Sequence, residues 1–364
     1  MITNDNKAKL SPKLLKATWL AIIVLIFSSL GVYLYFFQPN WLGFNNNKET
    51  TIATTTISQT ATSTTPDACP DCVRRPLDGL MVKPEIASLR PYAVMIDNLA
   101  AARPQFGLSA ASLVYEAPAE GGITRYLAIF SADQTSSQIG PVRSARAYFL
   151  NWAKELGATY VHVGGSPEAL EMAKNLGKTD LNEFYNGSYF WRINERSAPH
   201  NVLTSINNLN KYRTDNNESG NQIDSWQFKD SATSTMIASS TIKINYTASY
   251  HISWQYHPED NNYYRYLSNK AYLDSDGKNI TAKNIIVHQV AFQTLNDDKS
   301  RLEMSAALSG KALLCQDGDC QTGTWKKNSA TSRARYYDKE GNEFIFNAGT
   351  TWVEVISDLE KVTY

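Results

Sequence analysis

The chain has 364 residues, with 35 Lys and Arg against 35 Asp and Glu, and 43% of it is hydrophobic. Balanced charge excludes a global field that would recruit nucleic acid or anionic lipid, so any anion site must be local. No internal repeat of fixed period is visible.

Residues 17–37 read ATWLAIIVLIFSSLGVYLYFF, an uncharged run long enough, at about 1.5 Å per residue, to cross a hydrocarbon core. Lys7, Lys9, Lys13 and Lys16 precede it against one Asp5, and no basic residue follows until Lys48. This bias predicts a cytoplasmic N-terminus and an exported remainder. A cleaved leader is the alternative, but the run exceeds a normal h-region and Gln38-Pro39-Asn40-Trp41 offers no small-residue cleavage site. Trp19, Tyr33, Tyr35 and Trp41 sit where amphipathic rings favour the headgroup level. The expected organisation is a cytoplasmic tail 1–16, a transmembrane helix 17–37 and a flexible Thr/Ser-rich stalk 38–66, too polar to offset its own ordering entropy. An α/β domain 67–213, a linker 214–240 and a smaller β-rich domain 241–364 follow, an α+β fold class on the exported side.

Four cysteines lie in two close pairs, Cys69 with Cys72 and Cys315 with Cys320, in the compartment where disulfides persist. Asp317-Gly318 is a hairpin-turn dipeptide that would set Cys315 against Cys320. Redox chemistry at Cys69-Pro70-Asp71-Cys72 is disfavoured because it lies in a linker rather than between a strand and a helix. Zinc is disfavoured because four residues separate the second pair and no histidine follows at finger spacing.

From Pro91 the pattern predicts strands at 92–97, 113–117 and 123–131, a helix at 144–156 and a strand at 159–163. That strand runs through Gly164-Gly165-Ser166-Pro167 into a helix ending at Leu176-Gly177, with a serine cap and proline at the first helical position. Residues 201–213 are a further predicted helix, and the polar stretch 214–233 reads as a boundary. Short aromatic or β-branched strands are predicted at 242–246, 253–256, 263–267, 285–291, 312–314, 323–326, 333–337, 344–346 and 352–356.

Chemistry-bearing side chains concentrate in the first of these domains: Asp97, Arg103, Glu116, Glu120, Arg125, Arg143, Arg146, His162, Arg192, Arg196 and His200. Several follow predicted strands, where the crevice of an α/β sheet binds ligands. The backbone amides of Gly164, Gly165 and Ser166 at a helix start could hold a phosphate or carboxylate, or simply serve a capped helix. Arg143 and Arg146, three residues apart at a predicted helix start, would share one face, with Glu116, Glu120 and Asp97 as partners, a bound anion, or both. Alternatively the carboxylates would hold Mg²⁺ on a substrate pyrophosphate. A Ser166/His200/Asp97 hydrolase is disfavoured because Pro167 removes the amide an oxyanion hole would use. Trp191, Trp226, Trp254, Trp325 and Trp352 are expected in core and hairpin packing rather than in stacking on sugars or bases.

Within residues 92–205 stand AVMIDNLAAARPQFGLS (93–109), VYEAPAEGGITRYLAIF (114–130), IGPVRSARAYF (139–149), HVGGSPEAL (162–170) and APHNVLTS (198–205). In these motifs the stretch resembles a bacterial envelope family of unassigned function, the YerB-like lipoproteins. Trp254, Lys283-Asn284-Ile285-Ile286-Val287, Gly323-Thr324-Trp325-Lys326-Lys327 and Gly349-Thr350-Thr351-Trp352 look like that family's second domain. Its lipoproteins attach through an acylated cysteine; here no cysteine precedes Cys69, so the predicted helix 17–37 takes over the anchoring. A fainter likeness is to the LytR-CpsA-Psr phosphotransferases, which act on polyprenyl-pyrophosphate-linked glycopolymers with arginines and Mg²⁺-binding aspartates. It would give analogous roles to Asp97, Arg103, Arg125, Arg143 and Arg146, although the Ser-Ile-Pro-Arg-Asp and Asp-Asp-Phe-Gly-Arg signatures are absent.

The expectation is therefore an extracytoplasmic protein, anchored by one span of the plasma membrane, that binds an anionic glycan, a lipid phosphate or a protein partner through an Arg/Glu-rich site. No nucleic acid and no resident metal or cofactor are expected. Mg²⁺ enters only with the phosphotransferase alternative.

Overall fold

The segment Tyr92–Asp97, YAVMID, is buried at every residue, whereas Thr241–Thr247, TIKINYT, alternates between buried and exposed. A strand covered on both faces reads as a continuous apolar run, and one covered on a single face reads with period two. These two textures mark an inner and an outer sheet. The structure is a computed structural model that describes residues 69–364 apart from 219, 221, 232–239 and 298. The predicted tail, span and stalk lie outside the described residues. Among the described residues no helix is long and apolar enough to cross a membrane.

In chain order the principal elements begin with β1 (Tyr92–Asp97), β2 (Leu113–Pro118), β3 (Thr124–Phe130), α1 (Ala147–Glu155), β4 (Thr159–His162), α2 (Pro167–Ala173), β5 (Asp180–Asn182) and α3 (Ile206–Asp215). The second half adds β6 (Thr241–Thr247), β7 (Tyr250–His257), β8 (Asn262–Leu267), β9 (Asn284–Gln289), β10 (Phe292–Thr294), β11 (Leu302–Met304), β12 (Ser309–Gln316), β13 (Asp319–Lys326), β14 (Arg335–Tyr337), β15 (Thr351–Ile356) and β16 (Val362–Thr363).

The inner sheet has ten strands in the order β14-β13-β12-β9-β15-β2-β3-β1-β4-β5. Five come from each side of residues 214–240, and the halves meet where β15 pairs in parallel with β2, Thr351 opposite Leu113 and Glu354 opposite Glu116. The fold is α+β and mostly β, with one sheet spanning the two sequence segments rather than an α/β sheet followed by a β-rich unit. Residues 227–229, inside the expected linker, are themselves a strand, paired in parallel with Ile345–Asn347.

One face of the inner sheet presents Tyr92, Val94, Ile96, Val114 and Tyr126 to Ile242, Ile244, Trp254 and Tyr263 of the outer sheet, and α3 packs on the same side through Leu209 and Tyr212. The other face presents Ala93, Met95, Tyr115 and Leu127 to Phe149, Trp152 and Ala153 of α1 and to Ala169 and Ala173 of α2. Trp226, Trp254, Trp325 and Trp352 are buried, as expected of core rings. Residues 144–146, predicted helical, are extended instead. Val163 N–H bonds the Arg143 carbonyl and Ala145 N–H bonds that of Gly164, which stitches this stretch to the segment after β4, so α1 starts at Ala147. Likewise Val202–Leu203 is extended, held by bonds between Ile139 and Thr204, and α3 begins only after the Ser205 cap, whose hydroxyl accepts Asn208 N–H.

Both expected disulfides are present, Cys69–Cys72 and Cys315–Cys320. Cys315 and Cys320 are register partners across the β12–β13 hairpin, with Cα atoms 4.1 Å apart. The turn is Asp317-Gly318 with φ of 55° and 82°, the left-handed pair a two-residue hairpin loop requires. Replacing both cysteines with serine is expected to cost roughly 2 kcal/mol from the short closed loop. A denaturant midpoint unchanged by that replacement would refute this contribution.

Candidate functional site

The carboxyl end of β1 and the amino end of its antiparallel neighbour β3 carry a cross-strand pair, Asp97 opposite Arg125. Asp97 is fully buried: Oδ1 accepts Leu99 N–H at 3.1 Å, and Oδ2 lies 3.1 Å from Arg143 Nε and 2.7 Å from His200 Nδ1. Beside this group stands Glu120, on the turn between β2 and β3, where Gly121 and Gly122 take φ of 70° and 71°. Arg146 Nε bonds Glu120 Oε1, and Arg125 Nη2 lies 3.3 Å from Oε2. The rim thus gathers three guanidinium groups, two carboxylates and one imidazole on the helix-covered side of the sheet.

Its polar groups are incompletely bonded. Arg125 is 5% exposed, its best hydrogen bond is a 3.4 Å contact to the Ser144 carbonyl, and its Nε has no partner. The Nε of Arg143 and the Oε2 of Glu120 are also buried and unbonded, their ion-pair distances being misaligned for hydrogen bonds. Burial, followed by the nearby charge of Arg146, lowers the Arg125 pKa from its ordinary value, and Arg143 adds to this. Burial works to raise the Glu120 carboxyl, but Arg146 and Arg125 hold it below its usual range. An unsatisfied buried polar atom costs about 1–3 kcal/mol, so an oxyanion accepting hydrogen bonds from the unpaired guanidinium nitrogens here would be stabilising. Residues 147–149 open the nine-residue α1, whose N-terminus has no side-chain cap and adds partial positive charge at the same place.

Other expected participants belong elsewhere. Glu116 projects from the opposite face of the sheet and pairs with Arg265 of β8, which also bonds Glu354 Oε1 at 2.7 Å. All three are buried between the sheets, where Glu116 accepts Tyr250 Oη–H at 2.8 Å and Glu354 accepts Trp254 Nε1–H and Tyr246 Oη–H, each at 2.7 Å. The expected pairing of Glu116 with Arg143 or Arg146 is corrected: β2 presents Glu116 on the outer-sheet side, the rim arginines on the helix side. Arg103 bonds Asn98 and lies over the Tyr250 ring, away from the rim arginines. Arg192 bonds Asn201 and Glu183, and Arg196 bonds the carbonyls of Ala102 and Pro104.

The Gly164-Gly165-Ser166 turn has two of its three amides committed within the fold. Gly164 N–H is spent on Asn182 Oδ1, Ser166 N–H on the Ala145 carbonyl, and Ser166 Oγ accepts Ala169 N–H to cap the short α2. The two glycines serve packing: a Cβ on Gly164, whose φ is 58°, would stand 2.7 Å from the Phe184 ring, and one on Gly165 3.0 Å from Ala145. With that hydroxyl in its cap, no Ser166–His200–Asp97 relay forms. His162 is a structural histidine, fully buried with Nδ1 on the Gly164 carbonyl and Nε2 on Asp180. Nor does Asp97 offer a free face to Mg²⁺, since both oxygens are engaged, and no cluster of three His, Cys, Asp or Glu suited to a metal occurs among the described residues.

Sequence reasoning missed Arg265 and Glu354. Both carried a signal: a lone Glu inside TWVEVI and a lone Arg inside NYYRYL, each a charge within a run that otherwise reads as buried strand.

Two family models match the chain, described as "Protein of unknown function (DUF3048) N-terminal domain" over residues 77–219 and the corresponding C-terminal domain over 242–353. "Putative lipoprotein YerB" of Bacillus subtilis (strain 168) is 31% identical over 306 residues, covering 82% of this chain and 91% of the relative. The crystal structure of the YerB protein from Bacillus subtilis superposes with a TM-score of 0.72 at 30% identity, covering 80% of this chain and 99% of that one. Matched in both its halves, in sequence and in fold, the chain belongs to the YerB-like DUF3048 family, whose function is unassigned.

Proposed function

We propose that this chain is an extracytoplasmic, membrane-anchored envelope protein that binds an oxyanion at the rim formed by Arg125, Arg143, Arg146 and His200. The observation that supports it is the incompletely bonded cationic cluster: Arg125 is almost wholly buried, its Nε has no partner, and two further arginines crowd it. Asp97 and Glu120 orient the donors without exhausting them, since among the described residues neither terminal nitrogen of Arg143 has a hydrogen-bond partner. Bidentate guanidinium donors suit phosphate or carboxylate groups. The lipoprotein name of the relative and the two disulfides support a location outside the cytoplasm, where such groups are carried by envelope glycans and lipids.

Pyrophosphate at a hundredfold excess over its dissociation constant is expected to stabilise the protein by about 2.7 kcal/mol. Arg143→Ala and Arg146→Ala should each remove that stabilisation while changing the unliganded melting temperature by only a few degrees. Unchanged ligand stabilisation in both variants, combined with a large loss of intrinsic stability, would reduce the rim to internal ion pairing.

A further inference from the structure

Beside the rim, α1, α2 and the β10–β11 hairpin enclose a cleft of about 410 Å³. Arg146 and the first turn of α1 line it, and its apolar lining is Tyr148 and Trp152 of α1, Met172 of α2, and Leu295, Leu302 and Met304 of the hairpin. The size suits a small-molecule site, which typically spans about 300–1,000 Å³. Three of its other four charged side chains have partners, and Glu168 has none among the described residues. Lys327 bonds Glu155 and the Ala330 carbonyl, Arg301 bonds Asp297, and Glu303 accepts a bond from Gln293; Glu168, in the first turn of α2, also borders the cleft. Arg146 differs. Its Nε holds Glu120 and its Nη1 the Ala145 carbonyl, and among the described residues Nη2 has no partner.

A polar end fixed by a guanidinium and an uncapped helix start, continuous with a wall of methionine, leucine and aromatic carbon, matches an amphiphile. A free inorganic anion or a sugar, which lack an apolar tail, would leave that wall wet. We infer that the site takes a lipid phosphate, with the phosphate at Arg146 and the α1 N-terminus and the first methylenes of its chain under the β10–β11 hairpin. This rests on the oxyanion rim proposed above and adds the chain to it. Methionine lines both sides, Met172 on α2 and Met304 on the hairpin, so the wall adapts to a flexible chain rather than selecting one shape.

The test is calorimetric titration of the full-length chain in lipid nanodiscs with inorganic phosphate, ethyl phosphate, butyl phosphate and hexyl phosphate. Affinity is expected to rise about fourfold for each methylene buried. Met172→Gln and Met304→Gln, which put an amide into the apolar wall, should flatten that dependence while leaving inorganic phosphate binding intact. Arg146→Met should abolish binding of the whole series. Equal affinity for inorganic and hexyl phosphate, lost in Arg143→Ala and Arg146→Met, would overturn the lipid inference and leave the oxyanion rim standing. Chain-length dependence that persists in Arg146→Met would overturn the placement of the phosphate and the rim with it. Binding of no member of the series would overturn both.

Discussion

Replacing Arg265 with methionine is expected to lower the unfolding free energy by about 3–5 kcal/mol, the cost of leaving a buried charge without its partner. Arg265 is 1% exposed and stands between Glu116 and Glu354, which are both 0% exposed, with the rings of Trp254 and Trp352 around its guanidinium. Burial alone would lower the Arg265 pKa, but the two carboxylates hold it well above its ordinary value. Burial raises that of Glu354, Arg265 opposes the rise, and the nearby charge of Glu116 adds to it. Without Arg265 the acids would face each other across β2 and β15 with only tyrosine, tryptophan, asparagine and threonine donors. For a protein of this size the loss corresponds to a fall in Tm of roughly 10 °C. The triple replacement Arg265→Met, Glu116→Gln, Glu354→Gln should recover most of it, since removing a whole buried ion set is often close to neutral. A single Arg265→Met protein within 1 kcal/mol of wild type, or a triple variant no better than the single one, would contradict this account.

The second large effect concerns acid. His288 is buried on β9, stacked on Trp325 with centroids 4.2 Å apart, and its Nδ1 lies 3.0 Å from Tyr336 Oη. Burial, reinforced by the charge of Lys327, pushes its pKa down to about 3. The unfolded chain, with an ordinary histidine, binds more protons between that value and 6.5, so the stability contributed by neutral His288 is present above pH 6.5 and is lost as pH falls. Between pH 7 and pH 4 the difference in unfolding free energy between wild type and His288→Phe should shrink by about 3 kcal/mol. Taking the difference matters because Glu155, raised by burial to about 7, acts in the opposite direction. It holds a proton in the folded state between 4.5 and 7, so its contribution falls as pH rises through that window. Parallel stability curves for the two proteins over this range would show that His288 is not the acid-sensitive group.

These two expectations sit in parts of the molecule that local sequence illuminates unequally. The inner strands were legible because Tyr92–Asp97 and Thr351–Ile356 are apolar but for Asp97, Thr351 and Glu354, and the outer strand Thr241–Thr247 because it alternates. The Cys315–Cys320 hairpin was legible from Asp317-Gly318, whose left-handed angles are a local demand. The start of α1 was misplaced because Ser144, Ala145 and Arg146 have no intrinsic objection to a helix. Backbone bonds to Val163, Gly164 and Ser166, made possible by the neighbouring β4, hold them extended.

By itself, then, the amino-acid order determined most of the strands, the Asp317-Gly318 turn, which cysteines pair and which residues carry charge, since each depends on neighbours a few positions away. Tertiary structure alone decided that Glu116 and Arg125, nine positions apart on consecutive strands, serve different groups: one turned into the space between the sheets toward Arg265, the other to the helix side toward Glu120. It also decided that the two halves share one sheet and that the rim opens beside an apolar cleft. The reason is that pairing energy between strands and ions far apart in the chain depends on register and on which face each side chain takes, and a list of residues leaves both undetermined.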